Sequence, residues 1–517
     1  MQTTQNHFTR RSLLQGLGAS AAAFTVGKGF AQDVDESNPS ALVVDLTPKH
    51  EISPYLYMQF MEPLGVTDSS VEAAWDHTTN DWRPDVVEAT KALGPTMVRW
   101  GGILADFYRW REGVGPRDKR KPFLNLQWGG VETNQVGATE FVDFCRRVGA
   151  EPLVTVNFES DGRRHFMESR GEVRTADAQE AADWIAYCNA AENPLRKSHG
   201  HEKPLGVRYW QIGNETSYDR SGFNLETTAR KTVEFALKMR AADPSIKLIA
   251  WGDSGWAGRM AEAAGEHVDM LAFHQMFNPD SRDHPVLGGQ RYRRDPAATW
   301  DQLMQAWRLN DRKIREVRDS LGGRPMPLAM TECHFALPGR NRCDVLSTWA
   351  AGVSYARILN NHQRHSDVLK IATAADFCGT RWQVNALMIP VPRHEGKAYL
   401  MPVARIMKLY RHNIGERMLQ VKRTPDGLDV VASRTGNTLF LHVVNTNRTK
   451  SAKANFSCGA GAIASAAGRQ ISERPMVEVS QLNSERVMQE QEITLPPSGD
   501  WVFPAASVTA VKVGLVA

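Results

Sequence analysis

Eight apolar runs of strand length recur along this chain, and amphipathic stretches of helical length stand between most of them. The runs fall at residues 55–61, 96–100, 152–157, 207–213, 247–251, 268–274, 327–331 and 369–374. The helical stretches cover 83–93, 140–148, 178–188, 227–242, 300–321 and 345–359. In 83–93, Val86, Val87 and Leu93 supply the inner face. Strands separated by helices return to the same end of a sheet, so they pair in parallel. Eight such units close on themselves, and the expectation is a (β/α)8 TIM barrel of the α/β class over residues 51–415.

Past residue 418 the pattern changes. Short alternating runs at 428–432, 438–445, 476–481 and 508–513 are separated by Gly, Pro, Asn and Ser. This reads as a C-terminal antiparallel β-sandwich domain over 416–517. The N-terminal segment 33–50 holds an apolar run at 41–46 that is expected to join that sandwich. The Ala/Gly-rich stretch 459–468 reads as a loop, and no internal repeat is present.

Residues 1–32 read as a Tat signal peptide. Thr9-Arg10-Arg11-Ser12-Leu13-Leu14 carries the twin arginine, and a mildly apolar stretch leads to small residues ending at Ala31. The expected destination is the periplasm or beyond. Net charge is only +4 on 517 residues, which argues against a nucleic-acid partner. Past the leader, no uninterrupted apolar stretch is long enough to span a bilayer, so no membrane partner is expected. The six cysteines match no zinc spacing. Cys333 and Cys343 are the expected couple if a disulfide forms, and the others are expected as buried thiols. Most of the 14 tryptophans are expected in the core, with the remainder free to stack on sugar rings.

The chemistry lies at the strand ends, where barrels of this kind collect reactive groups. Arg208-Tyr-Trp-Gln-Ile-Gly-Asn-Glu215 and Pro327-Leu-Ala-Met-Thr-Glu332 each read as a buried strand ending on a glutamate. These fall on strands four and seven, which can face each other across the mouth. Two carboxyls gathered there can cut a glycosidic bond, one protonating the leaving oxygen while the other attacks the sugar carbon. Asn214 is placed to hydrogen-bond a sugar hydroxyl beside the reacting carbon. No Gly-x-Ser-x-Gly elbow exists, so a serine hydrolase lacks its nucleophile. Gly16-Leu-Gly18 lies in the leader and His199-Gly-His201 is a lone pair, so neither metal nor cofactor is expected.

Several motifs resemble the glycoside hydrolase family 51 α-L-arabinofuranosidases of clan A. They are Gly101-Gly102, Tyr108-Arg109-Trp110-Arg111-Glu112-Gly113, Trp128-Gly129-Gly130-Val131-Glu132-Thr133-Asn134 and Tyr209 through Glu215. The resemblance covers roughly residues 45–515 and is most specific between Gly101 and Glu215. It implies Glu215 as acid/base, Glu332 as nucleophile and Asn214 as partner of the 2-hydroxyl. It implies Glu62 as a substrate-binding residue, and Arg99 and His274 as braces of the carboxylates. It also implies assembly into homo-oligomers. Ile103 stands where the family has Asn, Met276 where it has Tyr, and Cys333 where it has Trp. Phe277 restores the ring of that Tyr but not its hydroxyl. These changes alter the cradle for the sugar.

The function expected is a retaining glycoside hydrolase acting on polysaccharide-derived oligosaccharides, arabinofuranosidase-like. One alternative is a clan A glycosidase on a pyranoside or uronic-acid-bearing substrate. Basic loops at 160–175 and after His274 motivate it, with Arg163, Arg164 and Arg293 as contacts for an anionic substrate. Another is a non-catalytic carbohydrate-binding protein on a hydrolase scaffold.

Overall fold

The computed structural model describes residues 38–516, apart from 65–69, 126, 159–175, 219–222, 338–341, 393–394 and 460. The expected signal peptide and the 160–175 stretch lie outside the described residues. Eight parallel strands form the barrel: β1 (Gln59–Met61), β2 (Met97–Trp100), β3 (Glu151–Val156), β4 (Tyr209–Ile212), β5 (Lys247–Trp251), β6 (Met270–Phe277), β7 (Leu328–Phe335) and β8 (Leu369–Ala372). Each pairs with its neighbour in chain order. The ring closes where Met58 N donates to Ala372 O (3.0 Å) and Ala372 N donates to Tyr55 O (3.1 Å). Beyond β8 the chain kinks, and Asp376–Gly379 pairs with β1 at Phe60.

Eight helices follow the strands: α1 (Pro84–Leu93), α2 (Ala138–Val148), α3 (Ala178–Asn189), α4 (Leu225–Ala242), α5 (Ala257–Ala264), α6 (Pro296–Ser320), α7 (Trp349–Arg364) and α8 (Pro402–Arg411). Their starts have local causes. Asp177, Asn224, Asp295 and Thr348 each accept a backbone N–H of the first turn, and proline opens α1, α6 and α8. Gly94 and Gly149 end α1 and α2 in the left-handed conformation. Helix α8 packs on α1, so the outer ring closes as well. The sequence pattern missed α5 and α8, which are short and carry few large apolar residues or follow a loop rich in turns. No helix of the described residues is long and apolar enough to cross a membrane.

The second unit is a nine-stranded curled sheet. In spatial order it runs 491–494, 463–472, 507–515, 438–445, 428–435, 417–423, 41–45, 452–457 and 500–503. The N-terminal strand Ala41–Asp45 sits inside it, antiparallel to Arg417–Arg423 and parallel to Ala452–Ser457. Leu42, Val44, Leu419, Val430, Leu441, Phe456 and Trp501 fill its core.

Two sequence expectations fail here. The Ala/Gly-rich stretch is not a loop, since Ile463–Ser472 is a ten-residue strand. Its small side chains are what the site accepts, because a Cβ on Gly468 would meet Ala510 O at 2.7 Å. Conversely, 476–481 is not a strand of the sandwich. It belongs to an excursion strapped across the barrel, where Trp349 N donates to Val477 O (2.9 Å) and Val479 N to Ser347 O (2.9 Å). A third correction concerns sulfur: Cys333 and Cys343 are not joined in a disulfide, and all six cysteines are buried thiols. Cys333 faces the layer between barrel and helices, near Asn310.

Candidate active site

Four barrel strands with largely apolar bodies carry polar residues that converge toward the mouth: Arg99, Thr155, Gln211 and Glu332. Arg99 explains the set. Its side chain is fully buried, and a buried guanidinium is costly unless its donors are matched. Nε donates to Thr155 Oγ1 (3.1 Å) and to Gln211 Oε1 (3.0 Å). Nη1 donates to Glu332 Oε1 (2.7 Å) and Nη2 to Asn214 Oδ1 (2.8 Å). One planar fork thus fixes groups from β3, β4 and β7 at the mouth. A lysine, with a single nitrogen, cannot reach four acceptors this way.

Glu215 follows β4 through a reversal of the backbone. Gly213 has φ 73° and Glu215 itself φ 52°. A non-glycine residue held there costs roughly 1–3 kcal/mol, so its surroundings must hold it. His274 does part of this. Its Nδ1 lies 3.0 Å from Glu215 Oε1 and 3.7 Å from Glu332 Oε2. The ring is brought there by register: His274 pairs with Glu332 across β6 and β7, with a bulge just before it. Coordinating atoms of Glu215, His274 and Glu332 lie within 4.8 Å of one another.

Burial pushes the His274 imidazole down to about 4, so it is neutral at pH 7. Its Nε2 lies 2.9 Å from Thr331 Oγ1, a hydroxyl that can either donate or accept. Whether Glu215 is protonated or ionised, one tautomer of His274 satisfies both contacts. The imidazole therefore supports Glu215 in both states without competing for its proton.

Glu62 lies one residue past β1. Its Oε1 accepts from Ile103 N (2.8 Å) and Trp128 Nε1 (3.1 Å). Burial, reinforced by the nearby Glu332 and Glu215, pushes its carboxyl well up. The Gly101-Gly102 motif has a steric reason. A Cβ on Gly102, at φ 84°, would sit 2.3 Å from Glu62 Cδ, and one on Gly101 would sit 2.5 Å from Thr155 Oγ1. Asp376, past β8, is pushed up to about 6 by burial, with Glu332 adding to the effect, and its Oδ1 lies 3.8 Å from His334 Nε2. Glu62, Glu215 and Glu332 keep 8%, 6% and 4% of their surface open. They are sheltered but reachable.

The structure thus gathers Glu62, Arg99, Asn214, Glu215, His274 and Glu332 in one place. Arg293 is engaged elsewhere, forming two hydrogen bonds to Glu478 of the strap (2.8 and 2.6 Å). Arg163 and Arg164 lie outside the described residues. Met276 is exposed, while Phe277 packs inward on Phe335 (4.5 Å between rings), so its ring does not stand in for a phenol at the mouth. Sequence reasoning gave no role to Thr155, Gln211, Trp128, Thr331, Trp251, Tyr218, Asp253 or Asp376. Thr155 and Gln211 had a signal, each being a polar residue inside an apolar strand. Asp253 had none.

Glu215, His274 and Glu332 could offer three ligand atoms to a metal, but the Arg99 guanidinium already provides the positive charge at Glu332. A divalent ion would place a second cation on that carboxylate. The geometry suits proton transfer and covalent attack.

Residues 89–294 match the model of the Alpha-L-arabinofuranosidase 1 domain. That span includes Arg99, Asn214, Glu215 and His274. "Probable alpha-L-arabinofuranosidase C" of Aspergillus flavus is 32% identical over 241 residues, 44% of this chain and 44% of that protein. "Intracellular exo-alpha-(1->5)-L-arabinofuranosidase" of Streptomyces lividans is 31% identical over 248 residues, 45% of this chain and 36% of its own length. The chain therefore matches less than half the length of these curated relatives. A crystal structure of the Thermotoga maritima alpha-L-arabinofuranosidase in complex with arabinose superposes with TM-score 0.74 at 24% identity, covering 92% of this chain and 100% of that one. The last likeness is one of fold.

Proposed function

We propose that this chain, an arabinofuranosidase-like protein of the glycoside hydrolase family 51 type, is a retaining glycoside hydrolase that releases arabinofuranosyl units from oligosaccharides or polysaccharides. The observation that carries the reading is the spacing of the two carboxyls, whose oxygens approach within 4.8 Å across His274. Retaining enzymes hold their carboxyl groups about 5–5.5 Å apart, and inverting ones leave room for a water.

In the first step Glu332 attacks the anomeric carbon as the C–O bond to the leaving group breaks. The departing oxygen takes the proton of Glu215. Arg99 holds the Glu332 carboxylate in line through its 2.7 Å contact. In the second step Glu215 takes a proton from water, the oxygen of that water bonds to the anomeric carbon, and Glu332 leaves. His274, neutral throughout, exchanges its hydrogen-bond polarity as Glu215 changes state.

A second reading, a pyranoside as substrate, is favoured by Ile103 in place of the family's Asn. Charge weighs against a uronate in either case. Among the described residues the mouth gathers Glu62, Glu215, Glu332 and Asp376, while Arg99 is committed to Glu332 and Arg293 to Glu478. Aryl arabinofuranosides, neutral pyranosides and uronides, assayed side by side, decide between the readings. The arabinofuranoside should be cleaved fastest, and preferential cleavage of a uronide would overturn the neutral-sugar assignment. The twin-arginine leader further supports action in the periplasm, which fractionation of cells expressing the full chain and an Arg10→Lys/Arg11→Lys variant would check.

A further inference from the structure

Asp253 lies two residues past β5 and is fully buried, yet groups from several elements converge on its carboxylate. Lys313, on α6, forms an ion pair with Oδ1. Ser254 N donates to the same oxygen at 2.6 Å. Tyr218 Oη donates to Oδ2 at 3.1 Å, and the backbone N of His274 donates to that oxygen at 3.3 Å.

Two of these partners flank the candidate acid. Tyr218 is three residues past Glu215, in a turn closed by Tyr218 N donating to Glu215 O (3.1 Å). Its neighbour Ser217 accepts from Trp251 Nε1 (2.7 Å) and donates to Ser254 Oγ (2.9 Å). The Tyr218 ring stands edge-on to Trp251, at 5.5 Å and 81°, and Trp251 in turn meets the His274 ring at 4.7 Å. The turn that carries Glu215 is therefore tied at two successive residues to the end of β5, and His274 hangs from the same carboxylate.

Glu215 needs such a tie, because its left-handed backbone is not one a glutamate prefers. A carboxylate buried only for packing would be a poor choice, given the desolvation it suffers. Here Lys313 offsets that cost, and the two Oδ2 contacts go to Tyr218, in the turn that carries Glu215, and to the backbone of His274, whose ring meets Glu215.

We propose that Asp253, neutralised by Lys313 and acting through Tyr218 and His274, is the positioning residue for proton donation by Glu215. The proposal rests on the acid/base reading of Glu215 given above. Asp253 touches no reacting atom. It sets where the Glu215 carboxyl stands relative to His274 and hence to the leaving oxygen.

The test uses two aryl arabinofuranosides, one with a phenol that needs protonation to leave and one with a dinitrophenol that does not. General acid catalysis contributes about 10²–10⁴-fold, and only to the first. For Asp253→Asn and Tyr218→Phe, kcat/KM on the phenyl substrate should fall by about 10²-fold. On the dinitrophenyl substrate it should change by less than about 5-fold. Tyr218→Phe leaves the Asp253–Lys313 pair in place, so it decides the matter should Asp253→Asn fail to fold. Equal losses on both substrates, or no loss on either, would overturn the brace while the hydrolase reading stands. A Glu215→Ala variant that loses equally on both substrates would overturn the acid/base reading itself.

Discussion

At the scale of single residues, the site is built from a few side chains whose surroundings leave them little choice. Arg99 is held by four acceptors, and Gly102 by the absence of room for a Cβ. Gly102→Ala combines a left-handed backbone with a clash against Glu62. It should raise KM and lower stability by about 1–3 kcal/mol, measurable by kinetics and urea unfolding. Glu332→Gln keeps the shape and the Arg99 contact but removes the proposed nucleophile, and turnover of any cleaved aryl glycoside should fall by about 10³-fold or more. Both glutamates were legible in the sequence because each follows a buried apolar run of strand length, although β7 itself continues past Glu332 to Phe335. Asp253 was not, because its partners Tyr218, His274 and Lys313 come from three separate segments that only the fold brings together.

At the scale of elements, periodicity revealed the eight strands and six of the eight helices. It misjudged the segments where pairing, not side-chain pattern, decides. Strand 463–472 is Ala- and Gly-rich and carries little β preference of its own, but its neighbours on both edges hold it. Residues 476–481 alternate like a strand, but Thr348 with Glu478 is their isolated bridge, and their apolar side chains cover the barrel. The contact between α7 and the sandwich centres on Asp429, which is buried and holds Arg357 Nε (3.0 Å), Arg364 and Asn360 Nδ2 (3.0 Å). Removing one member of a buried charge cluster strands the others. Asp429→Ala should therefore destabilise the protein by about 3–5 kcal/mol, seen as a shift in urea midpoint.

At the scale of the whole molecule, the sandwich is joined to the barrel not only by the charged cluster at Asp429 but also by a histidine that must stay neutral. His442, on a sandwich strand, accepts from Gln363 of α7 at Nδ1 (2.8 Å), donates from Nε2 to Asn413 O (2.8 Å) and stacks on Tyr410 at 3.7 Å. Burial pushes His442 and His362 down to about 3, and His274 down to about 4. The unfolded chain binds protons at these positions from about pH 6.5 downward, while the folded protein refuses them until far lower pH. Stability from these groups is therefore intact above about pH 6.5 and lost as pH falls toward about 4 for His274 and about 3 for His362 and His442. The melting temperature should drop steeply across that window, and His442→Gln should flatten the drop. Domain architecture was visible in the switch of sequence pattern near residue 418, but this interface was not, since it depends on residues from both units.

The account turns on two carboxyls close enough for one to attack while the other donates a proton. The most direct measurement is the anomeric configuration of the methyl glycoside formed when an aryl α-L-arabinofuranoside is cleaved in the presence of methanol, read by proton NMR before secondary hydrolysis. The account predicts the α-methyl glycoside, the product of two inversions through Glu332. A β product, or release of β-configured sugar with no methanol transfer, would contradict it.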